Sequence, residues 1–192
     1  MHSSVAFCMW ALVQSSVAGA QAPAAARLPV ASPAHIVLIR HAEKPDDPDD
    51  PHLSPEGVQR AERLVQYVTT DPVMASVGLP VAVFATRTTK HDNGQRTQET
   101  VAPLARALKL TVLTPYLGKD YTALARLILA SPEYAGKTVL ICWNHETIPQ
   151  LAAALGVTPE PPKWKGKVYN HVYVISYRNG AAELTTHRYG GK

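Results

Sequence analysis

Cysteine is nearly missing from this chain of 192 residues, which has only Cys8 and Cys142. If the N-terminal segment is removed after export, as argued below, a single thiol remains. No internal disulfide is then possible, and the fold must stand on its core. Cys142 ends the apolar run Thr138-Val139-Leu140-Ile141-Cys142, a setting for a buried structural thiol rather than a nucleophile. The eight histidines are dispersed and have no close cysteine partners, so no metal site and no cofactor are expected. Charge is sparse as well, at 18% of residues with no long run of one sign, which excludes extensive disorder. The basic residues form no stripe interleaved with aromatics, so nucleic-acid binding is not expected. No apolar stretch is long and continuous enough for a good span, so stable membrane insertion is not expected either.

The first twenty residues contain no Lys, Arg, Asp or Glu. Val5 to Val17 is mostly apolar, and Ala18-Gly19-Ala20 supplies small residues before Gln21. Residues 1–20 therefore read as a signal peptide without its usual basic start, and the protein is expected to be exported, periplasmic or secreted. Residues 21–34, rich in Ala and Pro, read as a flexible leader. Residues 35–192 read as one domain, since 46% hydrophobic content in a chain of this length supports a single core. The net charge of +4 and pI near 9.1 favour anionic partners such as phosphate esters. The sequence leaves the oligomeric state open.

From His35 onward, apolar strands alternate with amphipathic helices. His35 to Ile39 is a short β-branched run that predicts a buried parallel strand. Ser54 is a good N-cap with Pro55 at the first helical position, and Val58, Ala61, Leu64, Val65 and Val68 follow at helical spacing. Further strands are expected at Val81 to Ala85, Thr111 to Leu113 and Thr138 to Cys142. Helices are expected at Arg96 to Lys109, Tyr121 to Ala130 and Thr147 to Leu155. His171 to Tyr177 and Ala182 to His187, joined through Arg178-Asn179-Gly180, read as a hairpin. The pattern predicts a three-layer α/β/α fold with a mostly parallel central sheet and a C-terminal antiparallel hairpin.

In such sheets reactive residues gather at the carboxyl ends of strands. The first strand runs into Arg40-His41-Ala42-Glu43-Lys44, the second leads through a polar loop to Arg96, and the fourth ends at Asn144-His145-Glu146. Guanidinium groups match phosphate oxygens bidentately and stay charged. A neutral imidazole is a competent phosphorus nucleophile, and phosphoryl transfer consists mostly of positioning and charge stabilisation. This inventory is sufficient without a metal.

Ile36-Val37-Leu38-Ile39-Arg40-His41-Ala42-Glu43-Lys44-Pro45 resembles the Arg-His-Gly signature of the histidine phosphatase (phosphoglycerate mutase-like) superfamily, in an Arg-His-Ala-Glu-Lys-Pro variant. Leu53-Ser54-Pro55-Glu56-Gly57 resembles that family's helix opening, and Arg96-Thr97-Gln98-Glu99-Thr100 its Arg-x-x-x-Thr segment. Val139 to Pro149 resembles its final strand and second histidine. The resemblance implies that His41 accepts the phosphoryl group and that Arg40, Arg96 and His145 bind it.

The chain departs from the family pattern in three places. Ala42 stands where glycine is usual. Lys44 replaces a small polar residue, and the later asparagine gives way to the acidic run from Asp46 to Asp50. The glutamate that many mutase-type members use as proton donor has no counterpart in Pro115 to Asp120. Glu146 is the first candidate for that role, with Asp120 second; His145-Glu146-Thr147 resembles the His-Asp pair of the acid phosphatase branch. The alternative for Glu146 is a carboxylate favoured by a helix N-terminus. Lys44, with Arg87 and Lys90 from the polar loop Thr86 to Gly94, is a candidate for substrate binding. Thr158 to Lys167, around Trp164, is expected to border the site. The expected function is a metal-independent phosphohydrolase that acts on small phosphomonoesters through a phosphohistidine on His41. The alternative is a pseudophosphatase that only binds phosphorylated ligands, and the missing glutamate disfavours a mutase.

Overall fold

Ile36, Val37, Leu38 and Ile39 have no exposed surface, and they point alternately to the two faces of one sheet. In the computed structural model, which describes residues 32–90 and 94–189, Ile36 and Leu38 enter one core and Val37 and Ile39 the other. A strand that is apolar on both faces must lie mid-sheet under helices. The strands are β1 (His35–Arg40), β2 (Pro80–Phe84), β3 (Val112–Leu113), β4 (Thr138–Trp143), β5 (His171–Arg178) and β6 (Ala181–Arg188). They form a six-stranded sheet in the order β3-β2-β4-β1-β5-β6. β1 to β4 pair in parallel, while β5 runs antiparallel to β1 and to β6.

The helices α1 (Pro55–Thr70), α2 (Pro72–Val77) and α3 (Gln95–Leu108) cover one face, with Leu64, Val68, Met74, Val101 and Leu104 packed on Val37, Val83 and Leu140. On the other face, α4 (Tyr121–Ala130) and α5 (Ile148–Ala154) place Leu124, Ile128, Ile148 and Leu151 against Leu38, Phe84 and Ile141. Each such fully buried side chain contributes about 1.5–3 kcal/mol relative to exposure. The expected three layers are present. α1 opens as expected, with the Ser54 hydroxyl accepting from the Gly57 amide at 3.1 Å and Pro55 in the first turn. The hairpin turns through Asn179 and Gly180, both at positive φ (52° and 77°), the signature of a primed two-residue turn.

Two elements lay outside the sequence expectation. α2 is only six residues long, too short for periodicity to reveal it; the Asp71 carboxylate caps it at the Val73 amide. A 3-10 turn at Pro132–Tyr134 buries Tyr134. The predicted leader also ends earlier than expected. The Ala34 amide donates to the Lys137 carbonyl at 2.9 Å and the Ala34 carbonyl accepts from Tyr177 at 3.0 Å, so this residue is already tied to the sheet that begins at His35. The predicted signal peptide, the leader up to residue 31 and His91 lie outside the described residues.

Winding direction reverses after β3. The chain leaves β1 into α1 on one face and leaves the adjacent β4 into α5 on the other. A crevice between the carboxyl ends of these two strands is the topological consequence.

Candidate active site

Arg40 and Trp143 are register partners at the ends of β1 and β4, so His41 and the segment Asn144-His145-Glu146 emerge side by side. Around the crevice, a cavity of about 360 Å³ is lined by Arg40, His41, Lys44, Arg96, His145 and Glu146 of the predicted residues. Thr97, Asn144, Gly166 and Tyr169 complete the lining.

His41 is held through its backbone and through one ring nitrogen. The Thr100 hydroxyl accepts from the Ala42 amide at 2.8 Å and donates to the Arg96 carbonyl at 2.7 Å, tying the turn after β1 to α3. His41 Nδ1 lies 2.7 Å from the Ala42 carbonyl. A carbonyl only accepts, so Nδ1 carries the proton and Nε2 presents its lone pair. Burial lowers the His41 pKa to about 4, with the Ala42 hydrogen bond opposing it and the charges of Arg40 and Arg96 adding to it. The ring is therefore neutral at pH 7. The His145 ring centroid lies 6.4 Å away at 78° to it, and its pKa is lowered first by burial and then by Arg40.

Arg40 is 2% exposed. Its Nη1 donates to the carbonyls of Gly166 (2.7 Å) and Val168 (3.3 Å), and its Nη2 lies 3.5 Å from His41 Nε2. Its Nε is buried without a partner. A buried donor left unpaired costs about 1–3 kcal/mol, a debt that an incoming anion can relieve. Arg96 reaches the cavity from the first turn of α3. Its Nε donates to the His52 carbonyl at 3.0 Å and its Nη2 to the Asp50 carbonyl. The acidic run thus acts through its backbone. Glu99 closes that loop, its carboxylate 2.5 Å from His52 Nδ1 and 2.9 Å from the Leu53 amide.

The structure does not bring every predicted residue to the cavity. Arg87 turns away, and its guanidinium donates to the Thr114 and Pro115 carbonyls. Lys90 is exposed, and neither residue lines the cavity. Asp120 accepts from the Leu117 amide at 3.3 Å at the start of α4, and it does not line the cavity either. Glu146 does line it; it is exposed and precedes α5, whose first turn holds no acidic residue. Glu43 points the other way. Its carboxylate receives Arg60 Nε at 2.7 and 2.9 Å in a buried ion pair.

Tyr169 escaped the sequence reading, and Asn144 stood there at a strand end without a role of its own. Tyr169 lies on a loop without periodicity; the only signal was Trp164, five residues earlier, whose Nε1 donates to the Val168 carbonyl at 2.8 Å. Asn144 sits against Gly118, where an added Cβ would come within 2.3 Å of Asn144 Nδ2. A side chain at 118 would displace the Asn144 amide.

Neither a family model nor a curated protein matches this sequence. The fold, however, is shared with solved phosphatase structures. The protein assigned as phosphohistidine phosphatase SixA from Nakamurella multipartitia is 20% identical with a TM-score of 0.52, covering 82% of this chain and 96% of its own. A phosphoserine phosphatase mutant from Entamoeba histolytica, in complex with phosphoserine, is 15% identical with a TM-score of 0.54, covering 79% and 94%. A mycobacterial glucosyl-3-phosphoglycerate phosphatase with inorganic phosphate is 14% identical with a TM-score of 0.53, covering 82% and 97%. This chain has their fold.

Proposed function

We propose that this chain is a member of the histidine phosphatase superfamily and a phosphohydrolase acting on small phosphomonoesters through a phosphohistidine on His41. The observation that carries the reading is the tautomer of His41. Its Nδ1 is committed to the Ala42 carbonyl, leaving the Nε2 lone pair in the crevice 3.5 Å from Arg40 Nη2. The shared fold with phosphatases supports the same class of substrate.

In the first step His41 Nε2 attacks phosphorus, the ester P–O bond breaks, and the leaving oxygen takes a proton from the Glu146 carboxylic acid. In the second, water attacks the phosphohistidine, Glu146 accepts its proton, and the P–N bond breaks to release inorganic phosphate and neutral His41. Arg40, Arg96 and an N–H of His145 balance the charge on the equatorial oxygens, a role suited to preorganised donors. Lys44, at the rim, is placed to contact the rest of the substrate. Every step uses groups of the chain and water, so a chelator should leave turnover unchanged.

Rapid acid quenching during turnover of p-nitrophenyl phosphate tests the mechanism. Acid-labile phosphate should be trapped on the wild-type chain and absent from His41→Ala, which should be folded and inactive. Phosphate binding without trapped phosphate or turnover would establish the binding-only alternative. Export remains part of the proposal, and N-terminal sequencing of protein from the native host should give a mature start near Gln21.

A further inference from the structure

The orientation of Arg40 raises a question that the phosphatase reading leaves open. A guanidinium on a single flexible stem needs more than its stem to hold its plane. Nη1 is consumed by the Gly166 and Val168 carbonyls, which leaves the edge formed by Nε and Nη2, the side-on fork that grips two oxygens of a phosphate. Nε is buried without a partner and Nη2 faces the His41 nucleophile, so this edge is the one turned to the reacting phosphoryl group.

These contacts act at the edges of the guanidinium, through Nη1 on the two carbonyls and Nη2 toward His41 Nε2. The Tyr169 ring acts on its face. The Arg40 Cζ lies 3.9 Å from its centroid, a cation–π stack on the guanidinium face. The same ring meets His41 edge-on, with centroids 6.1 Å apart at 64°, and so touches both partners of the phosphoryl site. Tyr169 is only partly buried and belongs to neither core cluster, so the fold does not depend on it. The strap that carries it is pinned on both sides, by Trp164 Nε1 on the Val168 carbonyl and by the Tyr189 amide on the Asn170 carbonyl at 3.0 Å.

We propose that Tyr169 is a positioning residue that fixes the plane of the Arg40 guanidinium, so that its Nε–Nη2 edge meets the phosphoryl group at His41. The inference rests on the phosphatase reading for its use in catalysis. Its geometric half stands independently.

The test compares the full chain with Tyr169→Phe, which keeps the stack, and Tyr169→Leu, which removes it. Nitrogen-15 NMR of the Arg40 side chain without ligand reads the restraint. Slow guanidinium rotation is expected in wild type and Phe, and rotation about tenfold faster in Leu, the scale of a desolvated cation–π contact. Affinity for orthovanadate and for inorganic phosphate reads its use. Leu should lose about tenfold for vanadate, which resembles the transition state, and clearly less for phosphate. Equal rotation in all three proteins overturns the proposal, as does vanadate binding by Leu that matches wild type. Equal loss in Phe and Leu also overturns it, because the hydroxyl rather than the stack would then be responsible. A wild-type chain that binds neither anion and hydrolyses no p-nitrophenyl phosphate removes the phosphatase reading, while the rotation measurement still decides the geometric half.

Discussion

His41 should make this protein weaken in mild acid by a predictable amount. Burial lowers its pKa from 6.5 to about 4 in the folded chain, while the unfolded chain keeps the ordinary value. Between those two values the unfolded state binds a proton that the native state does not, so stability rises with pH across this window and falls as the pH drops from 7 to 4. A shift of this size corresponds to about 3 kcal/mol by pH 4, at roughly 1.4 kcal/mol per unit. Chemical denaturation of wild type and His41→Asn at pH 7 and pH 4 measures it. The loss in the variant should be smaller than in wild type by about 3 kcal/mol. The comparison cancels His35, His145 and His171, whose pKa values are also lowered chiefly by burial, and His52, raised by its hydrogen bond to Glu99. The same shift keeps the proposed nucleophile neutral well below pH 6, so the acid limb of kcat/KM due to His41 should fall near pH 4. Equal acid losses in the two proteins, with a His41 imidazole titrating near 6.5 by NMR, would refute the buried neutral ring.

Other consequences are simpler. Arg60→Ala strands the Glu43 carboxylate in a buried site and should destabilise by about 3–5 kcal/mol in thermal or denaturant unfolding, whereas Glu43→Leu with Arg60→Met should recover most of it. Arg96→Ala should cost about 2–4 kcal/mol in kcat/KM, the scale of one preorganised charge contact, while Arg106→Ala should change kcat/KM little. Glu146→Gln should lose most turnover of alkyl phosphates and keep far more on aryl phosphates, since general acid catalysis is worth about 100- to 10,000-fold and phenolates leave with less help. Equal losses on both substrate types would remove Glu146 as proton donor.

The parts that could be read from the sequence are those fixed by local patterns. The run from Ile36 to Ile39 is apolar on both faces, which fits a buried central strand. Ser54 and Pro55 carry a helix start in two residues. Arg40, His41 and His145 lie together because they stand at or just after strand ends, and strand ends converge by topology. Direction within a loop has no such rule. Arg87 and Lys90 sit in a polar loop of the right composition, yet Arg87 satisfies carbonyls on the neighbouring loop instead of the cavity. The composition of the acidic run does not reveal that the Asp50 carbonyl would hold Arg96. Tyr169 is set by a strap whose anchors are single hydrogen bonds, Trp164 to Val168 and Tyr189 to Asn170, which leave no periodic trace.

The adjacency of β1 and β4 also bears on how the protein is made. β1 is synthesised first, but its parallel neighbour on one side is β4, and Arg40 reaches its carbonyl partner Gly166 across 126 residues. Contacts this distant close late, because the chain between them must be organised first. A ribosome-bound chain that ends before β4 would hold His41 without His145, without the carbonyls that restrain Arg40, and with both edges of its central strand unpaired. Such an intermediate is a hazard for edge-to-edge association. Recovery of the proposed phosphatase turnover during refolding would therefore report the final closure of the sheet, and should lag behind the helix signal.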